Sequence, residues 1–380
     1  MKPLVVLGVT GSIGRQSLEV ADQLGWPVAG IGARRPSAGL AEIARSRPET
    51  EIAVAGGSLE EREEFSREFR GRVSFGPEAL EGLAAIPSVV VVNGVVGLVG
   101  LPLTMAAAKA GNRIALANKE SMVAAGPLIR RELARSGGEL IPVDSEHSAI
   151  FQCLTGEDRE SVERVILTAS GGPFRTWEVD KLESVTPAEA LAHPNWSMGD
   201  RITIDSATMA NKALEVMEAQ QLFELEVDQV EVVIHPESVV HSMVRFRDGS
   251  IKAQLGAPDM RLPIAYALTY PERAPDILKP FDFAGVSLNF EAPDLTRFPA
   301  LALGYSAARL GQSAPAVYNA SDEVAVAAFL GGRLGFRSIT SVIEQTLEGL
   351  GVQAVESVED VLAADREARS LAAAAIAGAC

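Results

Sequence analysis

Between residues 4 and 143 the chain alternates short apolar, β-branched runs with polar stretches of helical character, seven times over. The runs fall at 4–9, 28–31, 52–54, 73–75, 89–92, 114–117 and 140–143. A strand that is apolar throughout must be covered on both faces. Helices inserted between successive strands provide that cover when the strands run parallel. The pattern predicts an α/β fold that opens with a doubly wound domain over residues 1–143. Beyond about 160 the rhythm changes. Runs at 165–168, 229–234, 239–246 and 250–255 read as strands, and Arg247-Asp248-Gly249 between the last two is a hairpin signal. A central α/β domain with a mixed sheet is expected over 144–270. Residues 271–299 carry Pro271, Pro275, Pro280, Pro293 and Pro299 without helical periodicity and read as a linker. From 300 to 380 the chain is helical again, with three or four helices forming a small bundle. At 380 residues the chain exceeds one ordinary core, which agrees with several domains.

The first strand runs into Gly8-Val9-Thr10-Gly11-Ser12-Ile13-Gly14, followed by a helix. Glycine lets a backbone approach a pyrophosphate, and the helix start offers unpaired N–H groups to it. The plain structural alternative is a tight turn. The second strand ends in Gly30-Ile31-Gly32-Ala33-Arg34-Arg35, where an NAD-specific domain would usually place an acid. Two arginines there suit a 2′-phosphate, so NADPH is expected over NADH. Otherwise they only solvate a loop. Asn118-Lys119-Glu120 follows another strand, at the edge where doubly wound sheets bind ligands. Lys119 is a candidate substrate-facing cation or acid/base group, although a lone lysine after a strand is commonly just surface.

Asp144-Ser145-Glu146 follows the run at 140–143 and places two carboxylates at a strand end, leaning the same way. The string from Asp205-Ser206 through Asn211-Lys212 to Glu215 reads as the opening of a helix, with Asn211 and Glu215 one turn apart. Three carboxylates without histidine or thiolate suit a hard cation such as Mg²⁺ or Mn²⁺ and not zinc. Serine, asparagine and lysine around a helix start suit a phosphate. A metal beside a phosphate implies a small phosphorylated substrate whose oxygens the metal polarises.

The net charge of −16 argues against a nucleic-acid partner and requires local cations for an anionic substrate. Cys153 and Cys380 make no disulfide framework, and no signal peptide or apolar run of membrane-spanning length is evident, so a cytoplasmic protein is expected. Residues 171–199 have little apolar periodicity and contain His193, Pro194, Asn195, Trp196, Ser197 and Met198. Loops of such length are usually lids or binding loops. A lid is expected, against the alternative that Trp196 packs on the core. His193 is the expected substrate contact among the histidines, whereas His147 and His235 read as satisfied structural residues. Cys153 lies in an apolar helical context and reads as core. Met209, Met217 and Met260 read as packing residues.

Taken in this order, the glycine loop, the Asn-Lys-Glu, the Asp-Ser-Glu, the lid and the Asp-Ser-Ala-Thr-Met helix resemble the 1-deoxy-D-xylulose 5-phosphate reductoisomerase family. The resemblance covers essentially the whole chain. It includes Leu116-Ala117-Asn118-Lys119-Glu120-Ser121, Thr168-Ala169-Ser170-Gly171-Gly172-Pro173-Phe174, His193 to Gly199, and Asn319-Ala320-Ser321-Asp322-Glu323. It implies a Rossmann-like NADPH domain, a catalytic domain and a C-terminal helical domain, assembled as a homodimer. It further implies Asp144, Glu146 and Glu215 as ligands of one Mg²⁺ or Mn²⁺, and Ser170, Ser206, Asn211 and Lys212 as the phosphate grip. Lys119 and Ser145 would contact the sugar, His193 would close from the lid, and Trp196 would shield the site. Thr10, Gly11, Ser12, Ile13, Ala33, Arg34, Arg35, Asn118, Glu120 and Gly199 would line the NADPH site. Ala33 stands where the family usually has glycine and Arg35 where it often has asparagine. The reaction implied converts 1-deoxy-D-xylulose 5-phosphate to 2-C-methyl-D-erythritol 4-phosphate. A carbon–carbon bond breaks and re-forms through an enediolate, and NADPH then reduces the resulting aldehyde. Glu146 and Lys119 are the candidate proton carriers.

Two other readings compete. A simple NADP-dependent dehydrogenase of a phosphorylated sugar or semialdehyde would not need three metal-binding carboxylates, and the phosphorylating type needs a reactive cysteine. A non-catalytic NADPH-sensing regulator would have no use for the metal and phosphate residues.

Overall fold

The computed structural model describes residues 1–192, Trp196 and 198–379. Along the chain the elements begin β1 (Leu4–Leu7), α1 (Ser12–Leu24), β2 (Val28–Ala33), α2 (Ala38–Ser46), β3 (Glu51–Val54) and α3 (Leu59–Glu68). They continue β4 (Val73–Phe75), α4 (Pro77–Ala84), β5 (Val90–Asn93), α5 (Leu101–Lys109), β6 (Arg113–Leu116), α6 (Lys119–Ser136), β7 (Glu139–Pro142) and α7 (Ser145–Leu154). Next come β8 (Val162–Ala169), α8 (Pro187–Ala190), α9 (Asp200–Thr208), α10 (Ala210–Phe223), β9 (Val230–Ile234), β10 (Val240–Phe246), β11 (Ile251–Leu255) and α11 (Arg261–Thr269). Four helices close the chain: α12 (Ala300–Leu310), α13 (Ala314–Leu330), α14 (Ser338–Leu350) and α15 (Val358–Ala379).

These elements form two compact units. The first comprises residues 1–121, 129–148 and 259–280. Its seven strands are all parallel and ordered β4-β3-β2-β1-β5-β6-β7. From β1 the chain steps outward through β2, β3 and β4, then returns to the other side of β1 as β5. That reversal makes a topological switch point between β1 and β5, and ligands bind in the crevice beyond the carboxyl ends of such strands. Leu4, Val5, Val6 and Leu7 are all buried, as a strand covered on both faces requires. The seven runs in the sequence correspond to these strands within a residue or two at their ends.

The second unit comprises residues 122–128, 149–258 and 281–380. Its sheet runs β11-β10-β8-β9, with β8 and β9 parallel and the other pairs antiparallel. One core cluster joins sheet residues Val165, Leu167 and Val232 with Ile204, Leu214 and Met217 of the helices beside them. It continues into Leu301, Tyr318 and Phe329 of the C-terminal helices. Each such buried side chain contributes about 1.5–3 kcal/mol through removal from water. Residues 271–299 carry no helix or ladder strand, apart from a bridge between Ile234 and Glu291.

Two expectations change. Residues 171–199 are not a structureless loop. A 3₁₀ turn at Val179–Ser184 and helix α8, with a capping box between Thr186 and Glu189, occupy the middle. Phe174, Leu182, Val185 and Ala190 are buried in the core of the unit. The segment from Asp205 to Glu215 is not one helix either. Met209 adopts a left-handed conformation (φ 66°) and separates α9 from α10.

Candidate active site

The crevice at the end of β1 is shaped by contacts that only glycine allows. Gly8 has φ +80°, and a Cβ there would lie 2.7 Å from the Gly94 carbonyl oxygen at the end of β5. A Cβ on Gly14 would lie 2.5 Å from Val9 Cα, so the first turn of α1 rests directly on the Gly8–Val9 turn that follows β1. Gly11 is the N-cap of α1 and has no side chain to cap it. The helix start, with its orphan N–H groups at Ser12 and Ile13, is therefore built to receive an anion. Ala33 is buried at the end of β2, and the exposed Arg34 and Arg35 follow it directly.

Asn118 and Glu120 are buried and turned towards the loop after β5. Asn118 Nδ2 donates to the carbonyls of Val95 (2.7 Å) and Gly97 (2.9 Å), and Glu120 Oε1 accepts from Gly97 N at 3.0 Å. Asn118 also caps α6 through Ser121 N. Through these bonds the two residues shape the crevice wall. The Gly94–Gly97 loop itself was not singled out in the sequence. Asn93-Gly94 after an apolar strand was the available signal.

Also in the first unit, Lys119 Nζ lies 2.6 Å from Asp144 Oδ2, and His147 Nδ1 lies 3.8 Å from the same oxygen. Asp144 sits between β7 and α7, whereas Glu146 belongs to the first turn of α7. The two acids are thus not neighbours on one strand, as their spacing suggested. A carboxylate in a first turn is favoured by the helix dipole. They still bring carboxylate oxygens within 4.8 Å of each other. The Ser145 hydroxyl donates to Glu146 Oε2. His147 is fully buried, as a structural histidine should be.

In the second unit Ser170 follows β8 and leads into Gly171 and Gly172, both with positive φ. A Cβ on Gly172 would lie 2.7 Å from the Ser206 carbonyl oxygen, so this turn packs against the last turn of α9. Asn211 and Lys212 then open α10. Asn211 Nδ2 donates to Glu215 Oε1 at 2.6 Å, Lys212 Nζ donates to the Thr168 carbonyl at 2.5 Å, and Lys212 also pairs with Glu215 Oε2. Glu215 is only 1% exposed. A carboxylate so deeply buried stays ionised only with partners of this kind. The tie to Thr168 holds β8 against α10 and could not be read from spacing.

Trp196 is half-buried, its ring 6.3 Å from that of His241. Gly199 is the exposed N-cap of α9. His193 lies outside the described residues. His235 is a satisfied core residue: its Nδ1 pairs with the Asn289 carbonyl at 2.9 Å and its Nε2 accepts from Val239 N and Val240 N. Cys153 is buried within α7 and is no accessible nucleophile.

Comparison with known proteins bears on the family and the fold. The family description "1-deoxy-D-xylulose 5-phosphate reductoisomerase" matches residues 4–126, and the two C-terminal domain descriptions of the same family match 140–223 and 255–371. The reductoisomerase of Pelotomaculum thermopropionicum is 47% identical over 377 residues, covering 98% of this chain and 97% of its own. That of Pseudomonas aeruginosa is 50% identical over 386 residues, covering 97% and 96%. Among solved structures, the Zymomonas mobilis reductoisomerase in complex with NADPH superimposes with a TM-score of 0.92 at 41% identity, covering 99% of both chains. A reductoisomerase in complex with NADPH, fosmidomycin and magnesium gives 0.92 at 38% identity, covering 99% and 98%. On sequence and fold, the chain belongs to the 1-deoxy-D-xylulose 5-phosphate reductoisomerase family.

Proposed function

We propose that this protein converts 1-deoxy-D-xylulose 5-phosphate to 2-C-methyl-D-erythritol 4-phosphate in the non-mevalonate isoprenoid route, using NADPH and a divalent metal. The observation that carries the reading is the start of α10, where phosphate-type donors in the first turn, Asn211 and Lys212, stand together with a buried hard ligand in the second, Glu215. Asp144, Glu146 and Glu215 would hold Mg²⁺ or Mn²⁺. All three are carboxylates, the oxygen donors a hard cation takes, and two of them are oriented by a paired lysine. When bound, the metal acts as a Lewis acid on neighbouring substrate oxygens and NADPH supplies the hydride.

The remaining work falls to the chain's own side chains. Ser170, Ser206, Asn211 and Lys212 grip the phosphate and hold the substrate so that its fragments can recombine. Lys119 places a cation where oxyanions develop and, with Glu146, is in reach to carry protons. Ser145 contacts the sugar. His193 and Trp196 close over it from the lid and exclude water, and Gly199 joins the glycine loop, Arg34 and Arg35 in lining the NADPH site. In this reading residues 1–143 bind NADPH, 144–270 carry catalysis and the metal, 271–299 link, and 300–380 form the helical domain. A simple semialdehyde dehydrogenase is disfavoured because Cys153 is buried in α7.

The homodimer belongs to the same proposal. Its support is β11, the outer strand of the mixed sheet, whose Ile251 is 54% exposed and could pair across a twofold axis. A cytoplasmic location is supported by the low cysteine count and by the finding that no described helix is long and apolar enough to cross a membrane. The ligand assignment is tested by titrating Mn²⁺ into the metal-stripped protein. One site present in the parent and lost in Glu215→Gln supports it; equal binding by both rejects Glu215 as a ligand.

A further inference from the structure

The string Asn319-Ala320-Ser321-Asp322-Glu323 helps to define the family resemblance but has no place in the site described above. It lies within α13, with Asn319, Ser321 and Asp322 fully buried. Three of its side chains converge on Arg201, in the first turn of α9. Arg201 Nη2 donates to Asn319 Oδ1 at 2.8 Å and lies 3.3 Å from Asp322 Oδ2, while Nη1 lies 3.0 Å from Glu323 Oε1. Arg201 Nε is 3.4 Å from Asp205 Oδ2, one turn along the same helix. The other oxygen of Glu323 is held by Arg369 of α15 at 2.6 Å, and Arg369 is fixed in turn by Asp365 at 2.8 Å. Burial pushes the Asp322 carboxyl up against the opposing pull of Arg201.

A buried charge network of this size does not stabilise more than apolar packing of the same volume would, since its desolvation offsets its Coulomb gain. What it supplies is direction. Apolar helix faces can slide and rotate against each other, whereas a guanidinium fork bonded to three residues of α13 admits one register and one rotation of α9. Both ends of α9 border residues assigned above to cofactor or substrate. Gly199 and the segment that carries Trp196 precede it, and Ser206 lies in its last turn, against the Ser170–Gly172 turn.

We propose that Arg201 is a positioning residue for substrate phosphate. Anchored by α13 and, through Glu323 and Arg369, by α15, it sets α9 so that the Ser206 side chain meets the phosphate. The C-terminal helices thereby act on the substrate site without touching it. This rests on the reading of Ser206 as a phosphate ligand.

The test compares Arg201→Met, Arg201→Lys, Asn319→Ala and Ser206→Ala in the full chain. It measures KM and kcat for 1-deoxy-D-xylulose 5-phosphate, Kd for NADPH and the melting temperature. A displacement of about 1 Å costs on the order of 10²-fold in a positioned site. KM should therefore rise roughly 10- to 100-fold in Arg201→Met, with Kd for NADPH nearly unchanged. Arg201→Lys, which keeps the charge but not the fork, should recover part of the loss. Asn319→Ala removes the acceptor of Arg201 Nη2 and the amide donor to Glu323 Oε1 but keeps the guanidinium and its other partners, and should raise KM several-fold, which decides the matter if Arg201→Met does not fold. A lowered melting temperature with unchanged KM in Arg201→Met or Asn319→Ala overturns the proposal, because the network is then only structural. So does a parallel loss of NADPH and substrate binding. If Ser206→Ala raises KM and the network variants do not, the brace fails while the phosphate reading stands. If Ser206→Ala itself leaves KM unchanged, the phosphate reading fails and the proposal with it.

Discussion

Replacing Gly14 by alanine tests whether the cofactor crevice depends on backbone contact between α1 and the Gly8–Val9 turn after β1. A Cβ at this position would lie 2.5 Å from Val9 Cα, and closer still to the Gly8 carbonyl oxygen. Real Cβ contacts essentially never fall below 3.0 Å, so the helix and the Gly8–Val9 turn must separate by more than 0.5 Å, the shortfall at Val9 alone. Both obstructing groups are backbone, so no side chain can swing aside. Overpacking of this kind costs about 1–3 kcal/mol, and a site where nothing can yield belongs near the upper end. Against this, alanine gains about 1 kcal/mol over glycine in a helix interior. A net loss of roughly 2 kcal/mol is expected from those two terms. The same shift moves the Ser12 and Ile13 N–H groups off a bound pyrophosphate. A rise of about tenfold in Kd for NADPH corresponds to ~1.4 kcal/mol of lost binding.

Gly82 provides the control. It is exposed within α4, and a Cβ there would meet nothing within 4 Å. Gly82→Ala should therefore stabilise by about 0.5–1 kcal/mol through helix propensity alone and leave NADPH binding unchanged. Urea denaturation gives the stability of each variant, and quenching of intrinsic fluorescence gives the NADPH affinity. If Gly14→Ala proves as stable as the parent and binds NADPH equally well, the close approach of α1 to the Gly8–Val9 turn is not what shapes the crevice, and the argument from glycine fails.

Three further outcomes are expected. Glu215→Gln should abolish turnover while NADPH binding stays nearly intact, because Glu215 belongs to the second unit and the glycine loop to the first; full activity in this variant would refute its role. Replacing Arg34 and Arg35 together by alanine should weaken NADPH by about 1.5–3 kcal/mol, the worth of a charge-assisted contact, and leave NADH unaffected; equal weakening of both coenzymes would mean that the arginines do not read the 2′-phosphate. Leu182→Ala should destabilise by about 2–5 kcal/mol in urea because its side chain is fully buried; a negligible effect would show that this part of the 171–199 segment is not packed as core.

The fold was most legible where burial leaves a one-dimensional trace. Runs such as Val5-Val6 and Val90-Val91-Val92 are apolar without alternation because helices cover both faces of their sheet, and such runs fit few other arrangements. Shorter elements left a weaker trace. Helix α8 is four residues long and α11 carries Pro263 in its first turn, so neither builds a helical period. The break at Met209 was invisible because methionine is an ordinary helix former. The left-handed turn there is imposed by the packing of α9 and α10, with Met209 itself buried.

The site shows the same division. Residue types suited to phosphate and to a metal were readable at Asp144, Glu146, Asn211, Lys212 and Glu215, because donor chemistry is a property of the side chain. What orients them was not readable. The Lys212 bond to the Thr168 carbonyl, the Asn118 bonds to Val95 and Gly97, and the convergence of α13 on Arg201 each join positions distant in sequence. Those links exist only once the chain has folded.

The most direct test of the function is oxidation of NADPH by the purified protein with 1-deoxy-D-xylulose 5-phosphate, followed at the nicotinamide absorbance band with and without Mg²⁺ or Mn²⁺. Oxidation that requires both the phosphorylated sugar and the metal, and that yields 2-C-methyl-D-erythritol 4-phosphate, is the expected result. NADPH binding without oxidation under either metal would leave the fold and cofactor assignments standing and contradict the proposed reaction.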